Sequence, residues 1–266
     1  MKILMTGATG LIGNEVVQAL IQRGHLVSVV SRNSKAKKKM PMVVIEGDLS
    51  KGKIVDDRFE DIDAVIHLLG ENVGDGRWTP EKKKKILDSR VLGTKHLYES
   101  LEHNKKLQVI VSASAIGYYG DRGDEELNEA SSQGSRASDS GTVFLSQVCR
   151  QWEEAVIMGQ KEKFPQARSV ILRCGMVLSA KGGALPQMIK PFQLGMGVGF
   201  GSGKQWISWI HIQDLVRMYV DSIEKNDLAG IYNAVAPHPA TNSEFVARLG
   251  RVLKKWQGPN LPEFAV

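Results

Sequence analysis

The sequence opens with Met1-Lys-Ile-Leu-Met-Thr-Gly7-Ala-Thr-Gly10-Leu-Ile-Gly13. Its apolar residues Ile3 to Thr6 predict a short buried strand that leads directly into a glycine-rich turn. In such a turn the first glycine permits the sharp bend and the second leaves the backbone open to a pyrophosphate. The third lets the following helix pack closely on the sheet. A helix that begins at Leu11 would point its free N–H groups at those phosphates.

Glycine spacing is a weak signal by itself, so the context of the turn decides its meaning. A strand precedes it, an amphipathic helix follows it, and together they begin a βαβ pattern. This context favours a dinucleotide-binding turn over a glycine turn without a ligand. The residues predicted to contact the cofactor here are Gly7, Thr9, Gly10, Leu11, Ile12 and Gly13.

The end of the second predicted strand, Leu26 to Val30, indicates which dinucleotide binds. Proteins that prefer NAD carry an acidic residue there for the ribose 2′-hydroxyl, whereas a basic residue suits the 2′-phosphate of NADP. This chain has Ser31 and Arg32 at that place and no acid. Since a guanidinium pairs with phosphate in a two-pronged contact, we predict NADP(H); the alternative is a surface arginine.

The alternation of strand and helix patterns predicts an α/β fold, a Rossmann doubly wound parallel sheet with helices on both faces. Residues 1–178 would form the NADP-binding domain, and residues 179–266 a small C-terminal α/β cap on the substrate side that is not independent. Leu68 and Leu69, at the end of the fourth strand, would pass beside the cofactor. Further strands are predicted at Met42–Glu46, Asp63–Leu69, Leu107–Ala113, Ser169–Cys174, Trp206–His211 and Gly230–Val235.

Two polar segments stand out among the predicted helices and loops. Thr79 is a candidate N-cap of a long helix whose buried side is interrupted by Ser89-Arg90. A buried arginine needs an acceptor, either a cofactor phosphate or ribose or an internal carboxylate, and Lys85 would face the same crevice. The polar stretch Asp121–Gly141 is long enough to be a lid or binding loop. Asp48 fits equally an adenine contact or a turn.

Composition restricts the class of protein. The 266 residues are 42% hydrophobic and 24% charged, which is typical of a globular chain without a signal peptide or membrane span. Cys149 and Cys174 match no metal spacing, so we expect no metal and a reducing cytoplasmic location. The net charge of +6 comes with short lysine runs lacking interleaved aromatics. We therefore expect neither a nucleic-acid nor a membrane partner.

Several short motifs are distributed along almost the whole chain. They are the three glycines, Ser112-Ala-Ser114, Arg173-Cys-Gly, Ile210-His-Ile-Gln-Asp214, Gly70-Glu-Asn72, Ser89-Arg90 with Gly93-Thr94, Gly117-Tyr-Tyr-Gly120, Trp152-Glu153 and Trp209-Ile-His211. Together they resemble the extended short-chain dehydrogenase/reductases. More narrowly, the chain is similar to the atypical NAD(P)-dependent epimerase-family proteins, including the mammalian family 39U and bacterial sugar-nucleotide-epimerase-like proteins.

This resemblance implies an NADP(H) site lined by Ser31, Arg32, Leu68, Leu69, Lys85, Arg90 and Val177. It also implies a possible homodimer through the two long helices, Pro80–Asn104 and Thr142–Met158.

One departure from that family affects the predicted chemistry. Active members carry Ser or Thr at the end of strand five and then Tyr-x-x-x-Lys on the next helix. Ser114 fills the first place, but the tyrosine place falls on Phe144 or Leu145 and the lysine place on Val148 or Cys149. Tyr118 is the nearest substitute proton carrier, and the alternative, which residue type and position favour, is a loop aromatic.

These residues leave two functions open. One is an NADP(H)-dependent oxidoreductase or epimerase that acts on a small polar or nucleotide-linked substrate, with Ser114 and Tyr118 as catalytic residues. The other is a catalytically silent NADPH-binding protein that acts through a protein partner, because the resemblance extends to relatives with division-related roles.

Overall fold

The main sheet has seven parallel strands. The structure is a computed structural model, and it describes residues 1–32, 42–134, 140–194, 197, 199, 201–256 and 258. The strands are β1 Lys2–Thr6, β2 Leu26–Ser31, β3 Val43–Glu46, β4 Ala64–His67, β5 Val109–Ala115, β6 Arg168–Cys174 and β10 Gly230–Ala234. Their spatial order is β10-β6-β5-β4-β1-β2-β3. The order reverses between β1 and β4, which creates a crevice at the carboxyl ends of the strands.

Helices cover both faces of this sheet, which confirms the predicted doubly wound fold. One face packs α1 Leu11–Gln22 and α5 Ile212–Glu224 against a core that includes Val17, Leu20 and Tyr219. The other face packs α2 Pro80–Ser100 and α3 Ser140–Lys163, with Leu97 and Trp152 among the buried side chains. Because both faces are covered, β4 is buried along its whole length.

Two helices begin at threonine caps, and the first of them, Thr79, is the cap predicted from the sequence. The Thr79 hydroxyl accepts a hydrogen bond from the backbone N–H of Lys82, and Pro80 is the first residue of α2. Thr241 forms a capping box with Glu244 at the start of α6, Asn242–Leu253. Such caps satisfy backbone donors that would otherwise lack partners.

The C-terminal residues differ from the prediction in one element. The expected single strand Trp206–His211 is two separate strands, β8 Trp206–Ile207 and β9 Trp209–His211. β9 pairs in parallel with β7, Met176–Leu178, while β8 pairs antiparallel with β11, Ala240–Thr241. The backbone turns between them because each half bonds to a different partner, which no local sequence pattern encodes. α4, Ala184–Gln193, completes this region.

The loop that follows β5 is hydrogen-bonded to strands in the C-terminal part of the chain. It begins with a short 3-10 turn at Ile116–Tyr119. The Trp206 indole then donates to Asp124 Oδ1 at 2.7 Å, and the backbone N–H of Asn233 donates to Glu129 Oε1 at 2.7 Å. The loop is therefore tied to the C-terminal strands. No helix among the described residues has the length and apolar character that crossing a bilayer requires.

Candidate functional site

The glycine turn has the geometry that the sequence predicts. Gly7 has a φ of +67°, and a Cβ there would lie 2.4 Å from the carbonyl oxygen of Leu68. A Cβ on Gly13 would lie 2.4 Å from the Gly7 carbonyl oxygen. These two glycines therefore let β1, β4 and α1 approach one another closely, and only glycine fits either place.

Gly10 differs from the other two glycines because the space that a Cβ would occupy there is largely open. A Cβ there would meet only the oxygen of Gly7, at 3.4 Å. Gly10 is also the N-cap of α1; no side chain caps this helix, and its first turn has no acidic residue. The free backbone donors and the positive end of the helix dipole are thus left for an anion. This turn fits the pyrophosphate of a dinucleotide.

A basic cluster, defined here as Arg32, Lys82 and Lys85, acts on the carboxylate of Glu71, and Lys82 is in direct contact with it. Lys82 Nζ lies 2.7 Å from Glu71 Oε1. That hydrogen bond, followed by the charges of Lys82, Lys85 and Arg32, lowers the pKa of Glu71. Arg32 stands at the end of β2 and is exposed, while Ser31 beside it is buried. The cluster suits the 2′-phosphate of NADP, and it places two of the predicted residues, Arg32 and Lys85, in one neighbourhood.

Arg90 lies deeper in the same crevice. Its Nη1 donates to the backbone carbonyls of Glu71, at 3.1 Å, and Ile86, at 3.0 Å. The sequence left a cofactor group or an internal carboxylate as its acceptor; within the described residues the acceptors are main-chain oxygens. The guanidinium also faces the ring of Trp152 at 5.2 Å. That indole N–H is a buried donor without a partner in the described chain. Burial lowers the pKa of Arg90.

The other predicted cofactor residues lie along the strand ends. The backbone N–H of Leu68 donates to Thr6 O at 3.3 Å. Leu69 packs against α2, since a Cβ on Gly93 would come within 2.8 Å of its Cδ2. Val177 lies in β7 and is half-buried. Asp48 accepts from the backbone and hydroxyl of Ser50, which is the turn alternative of its two readings.

A row of polar side chains crosses three neighbouring strands. Strand register aligns Ser114 of β5 with Arg173 of β6, and Arg173 with Asn233 of β10. Glu153 of α3 faces this row. Ser114 Oγ donates to Glu153 Oε1 at 2.6 Å, and Arg173 binds the same carboxylate through Nε at 2.9 Å and Nη2 at 2.7 Å. The Arg173 and Glu153 side chains are only 2% and 5% exposed, so this is a buried two-pronged ion pair.

Two tyrosines complete this network. Arg173 Nη1 donates to the hydroxyl of Tyr119 at 2.9 Å, and Tyr119 donates in turn to Asn233 Oδ1 at 2.7 Å. The Arg173 guanidinium lies 3.5 Å from the ring centre of Tyr118. The hydroxyl of Tyr118 makes no hydrogen bond to any described residue. Tyr119 is therefore a structural member of the network, while Tyr118 has a fixed ring and an available hydroxyl.

The places of the missing Tyr and Lys hold apolar or inert groups. Phe144 packs edge-on against Trp78 at 5.7 Å. Cys149 lies beside Ser114, and burial raises the pKa of its thiol to about 11, so it stays protonated at neutral pH. Neither residue can transfer a proton at neutral pH as a tyrosine paired with a lysine does.

A second row of polar residues lies toward the middle of the sheet. His67 of β4 is buried between Thr6 Oγ1, at 2.8 Å, and Thr94 Oγ1, at 3.0 Å. Burial and then the charge of Arg90 lower the pKa of His67 to about 3. This histidine is thus neutral and satisfied, and it joins β1, β4 and α2 beneath the crevice.

Sequence reasoning missed the central part of the site. It singled out Ser114 and Tyr118, gave Glu153 and Arg173 no role beyond motif membership, and did not single out Asn233. A usable signal was present, because Arg173 interrupts the apolar run Val170-Ile-Leu172 of a buried strand. A charge there requires a buried partner. Glu71 was also missed, because its lysine partner Lys82 lies eleven residues later in the sequence and meets it only in the fold.

Comparisons with known proteins agree with this geometry. The sequence matches the NAD dependent epimerase/dehydratase family over residues 3–234. It is 34% identical over 265 residues to the epimerase family protein YfhF of Bacillus subtilis, and the match covers 99% of this chain and 84% of the relative. A chloroplastic epimerase family protein SDR39U1 homologue of Arabidopsis thaliana is 34% identical over 275 residues, covering 100% of this chain and 75% of the relative. The crystal structure of human epimerase family protein SDR39U1 with NADPH superposes with a TM-score of 0.83 at 32% identity, covering 100% of this chain and 84% of the human one.

Proposed function

The chain belongs to the NAD dependent epimerase/dehydratase family, and we propose that it binds NADP(H) and transfers hydride to or from a small polar or nucleotide-linked substrate. The observation that carries this proposal is the uncapped start of α1 behind the open face of Gly10. The acid-free end of β2 supports NADP over NAD, and the related human protein was crystallised with NADPH.

Each part of the cofactor has residues suited to hold it. The turn from Gly7 to Gly13 would bind the pyrophosphate, and Arg32 with Lys85 would bind the 2′-phosphate. Leu68, Leu69 and Val177 would line the nucleoside path along the strand ends, with Arg90 at its inner wall. Bound NADP(H) would supply or accept the hydride.

The protein's own residues would handle the proton. The Ser114 hydroxyl already donates to Glu153, so the remaining lone pairs of Ser114 Oγ can accept a hydrogen bond from a substrate hydroxyl. Such an acceptor suits an alcohol substrate better than a carbonyl. The Tyr118 hydroxyl, which makes no hydrogen bond to a described residue, would accept the proton from that oxygen while it passes its own proton to solvent water, and the reverse would hold for reduction. Arg173 would hold the Tyr118 ring in place.

Calorimetric titration with NADPH and then NADH tests the cofactor assignment. We expect clear preference for NADPH. Arg32→Glu should weaken NADPH binding by about 1–3 kcal/mol, roughly 5- to 150-fold, because it replaces a charge-assisted contact by a repulsion. Arg217→Glu is the matched control, since Arg217 is exposed and pairs with Asp214 on α5. Unchanged NADPH affinity in Arg32→Glu would refute the assignment of the β2 end.

Absorbance at the nicotinamide band tests turnover. One assay combines NADP+ with a panel of polar and sugar-nucleotide alcohols, and the other combines NADPH with the matching carbonyls. Oxidation of an alcohol that is lost in Ser114→Ala and in Tyr118→Phe would support hydride transfer. Turnover that both variants retain would refute these two catalytic assignments.

A second candidate function is a catalytically silent NADPH-binding regulator. The engaged Ser114 hydroxyl and the apolar places of Tyr and Lys favour it. In that case NADPH would bind tightly without turnover and would alter the exchange of amide hydrogens in the loop Asp121–Gly134, which is available to a protein partner. Equal exchange with and without NADPH would refute this alternative.

We also propose a cytoplasmic homodimer that uses α2 and α3. The free thiols of Cys149 and Cys174 suit a reducing compartment. Leu92 on α2 is 40% exposed and Met158 on α3 is 59% exposed. These side chains would be covered if the two helices packed against those of a second copy.

A further inference from the structure

We propose that Glu71 is a resident counter-ion of the basic cluster, and that it limits the preference of this protein for NADPH over NADH. The carboxylate of Glu71 occupies the cations that would otherwise be free for the 2′-phosphate. This inference rests on the proposed NADP(H) function, and it assigns a specificity role to a residue outside the phosphate turn and outside the catalytic pair.

The position of Glu71 is set by its backbone. Its N–H donates to Ser89 Oγ at 2.9 Å, and its carbonyl accepts from Arg90 Nη1 at 3.1 Å. Both partners belong to α2, so the loop that follows β4 is fastened to the helix. The Glu71 side chain therefore points toward Lys82, near the start of that helix. Glu71 Oε1 lies 2.7 Å from Lys82 Nζ.

Three cations act on the carboxylate of Glu71, and Lys82 is the one in direct contact with it. Lys82 is only 15% exposed, so its ammonium is held in the crevice and not extended into solvent. Lys85 follows about one turn later on α2, and Arg32 approaches from β2. Three cations against one carboxylate leave the cluster positively charged, which explains how it can still attract a phosphate.

A phosphate dianion that enters this cluster meets Glu71 as a like charge. It must share Lys82 with the carboxylate, and it gains less from the cluster than three free cations would give. The repulsion acts on the 2′-phosphate alone, because NADH lacks that group. Removing one such charge near a partly solvated dianion should strengthen binding by about 5- to 10-fold at moderate ionic strength.

The experiment compares calorimetric affinities for NADPH and NADH in the wild-type protein and in Glu71→Gln, which keeps the shape and removes the charge. Glu99→Gln is the matched control. It removes one partly exposed carboxylate, 3.9 Å from Lys95, near the other end of α2 and about 25 Å along the helix from Lys82. We expect Glu71→Gln to bind NADPH about 5- to 10-fold more tightly and NADH as before, with no change in Glu99→Gln. The affinity for adenosine 2′,5′-bisphosphate should rise in the same way in Glu71→Gln, while the affinity for 5′-AMP, which lacks the 2′-phosphate, should stay unchanged.

Lys82→Gln gives the second half of the test. If the ion pair only stabilised the loop, loss of either partner would weaken NADPH binding. Our proposal requires opposite signs: Lys82→Gln should weaken NADPH binding and Glu71→Gln should strengthen it. Thermal unfolding of each ligand-free variant establishes that it folds before its affinity is compared.

The outcomes separate this inference from the proposed function. NADPH binding by the wild-type protein with equal or weaker binding by Glu71→Gln would overturn the inference and leave the cofactor assignment standing. An equal gain for NADPH and NADH would overturn it too, because the 2′-phosphate would then not be the group that meets Glu71. Binding of neither cofactor by the wild-type protein would overturn both.

Discussion

Replacing Glu153 by glutamine should destabilise the folded protein by about 3–5 kcal/mol, because it leaves the Arg173 guanidinium buried without a counter-ion. This loss is large for a single substitution, and the structure gives the reasons for it. Both side chains are almost fully buried, two Arg173 nitrogens contact the carboxylate at 2.7 and 2.9 Å, and Ser114 Oγ donates to it at 2.6 Å. Glutamine keeps one acceptor oxygen but turns an N–H donor toward the arginine.

Urea unfolding monitored by circular dichroism measures this loss, and calorimetry should show a Tm lower by roughly 10 °C. Glu154→Gln is the control one residue along the same helix. Glu154 pairs with Arg150 on the surface at 2.6 Å, and such pairs contribute about 0–1 kcal/mol. The double variant Glu153→Met with Arg173→Met should lie closer to the wild type than Glu153→Gln does, since no unpaired charge stays buried. If Glu153→Gln and Glu154→Gln lose the same stability, our account of the buried pair is wrong.

Three further predictions concern other parts of the molecule. Because the pKa of His67 is lowered to about 3 in the folded protein, the unfolded chain gains a proton first as pH falls from about 6 toward 4. Stability should then drop by up to about 1.4 kcal/mol per pH unit, and a His67→Gln variant with a slope as steep as the wild type would contradict this. Gly10→Ala should fold normally yet weaken NADPH binding, whereas Gly7→Ala should lower the Tm even without cofactor; equal Tm values for the two variants would count against their separate roles. Leu92→Glu with Met158→Glu should convert a dimer to a monomer in light scattering, and a dimer that survives both changes would exclude this face.

The fold could be predicted largely from the sequence because its elements have local causes. The glycine turn and the Thr79 cap each act within a few residues, and the structure places them as predicted. Strand ends depend on partners that are distant in the sequence. β5 was predicted to end at Ala113, but it extends to Ala115 because Ser114 and Ala115 pair with residues of β6.

The candidate site was less predictable for the same physical reason. Its cofactor side follows from one turn and one strand end, which are local features. The network of Ser114, Glu153, Arg173 and Asn233 exists only when three strands are in register beneath α3. No spacing in the sequence encodes that coincidence, although a charged residue inside an apolar strand could have prompted a search for its partner.

The position of β10 at the edge of the main sheet has a consequence for synthesis of the chain. β6 bonds to β5 on one side and to Gly230–Ala234 on the other. Until that last strand leaves the ribosome, one side of β6 has unpaired backbone groups, and Arg173 lacks its neighbour Asn233. At the usual rate of about 5–20 residues per second the exposed edge would persist for seconds. This interval is when the nascent chain is open to mispairing with another strand and to chaperone binding.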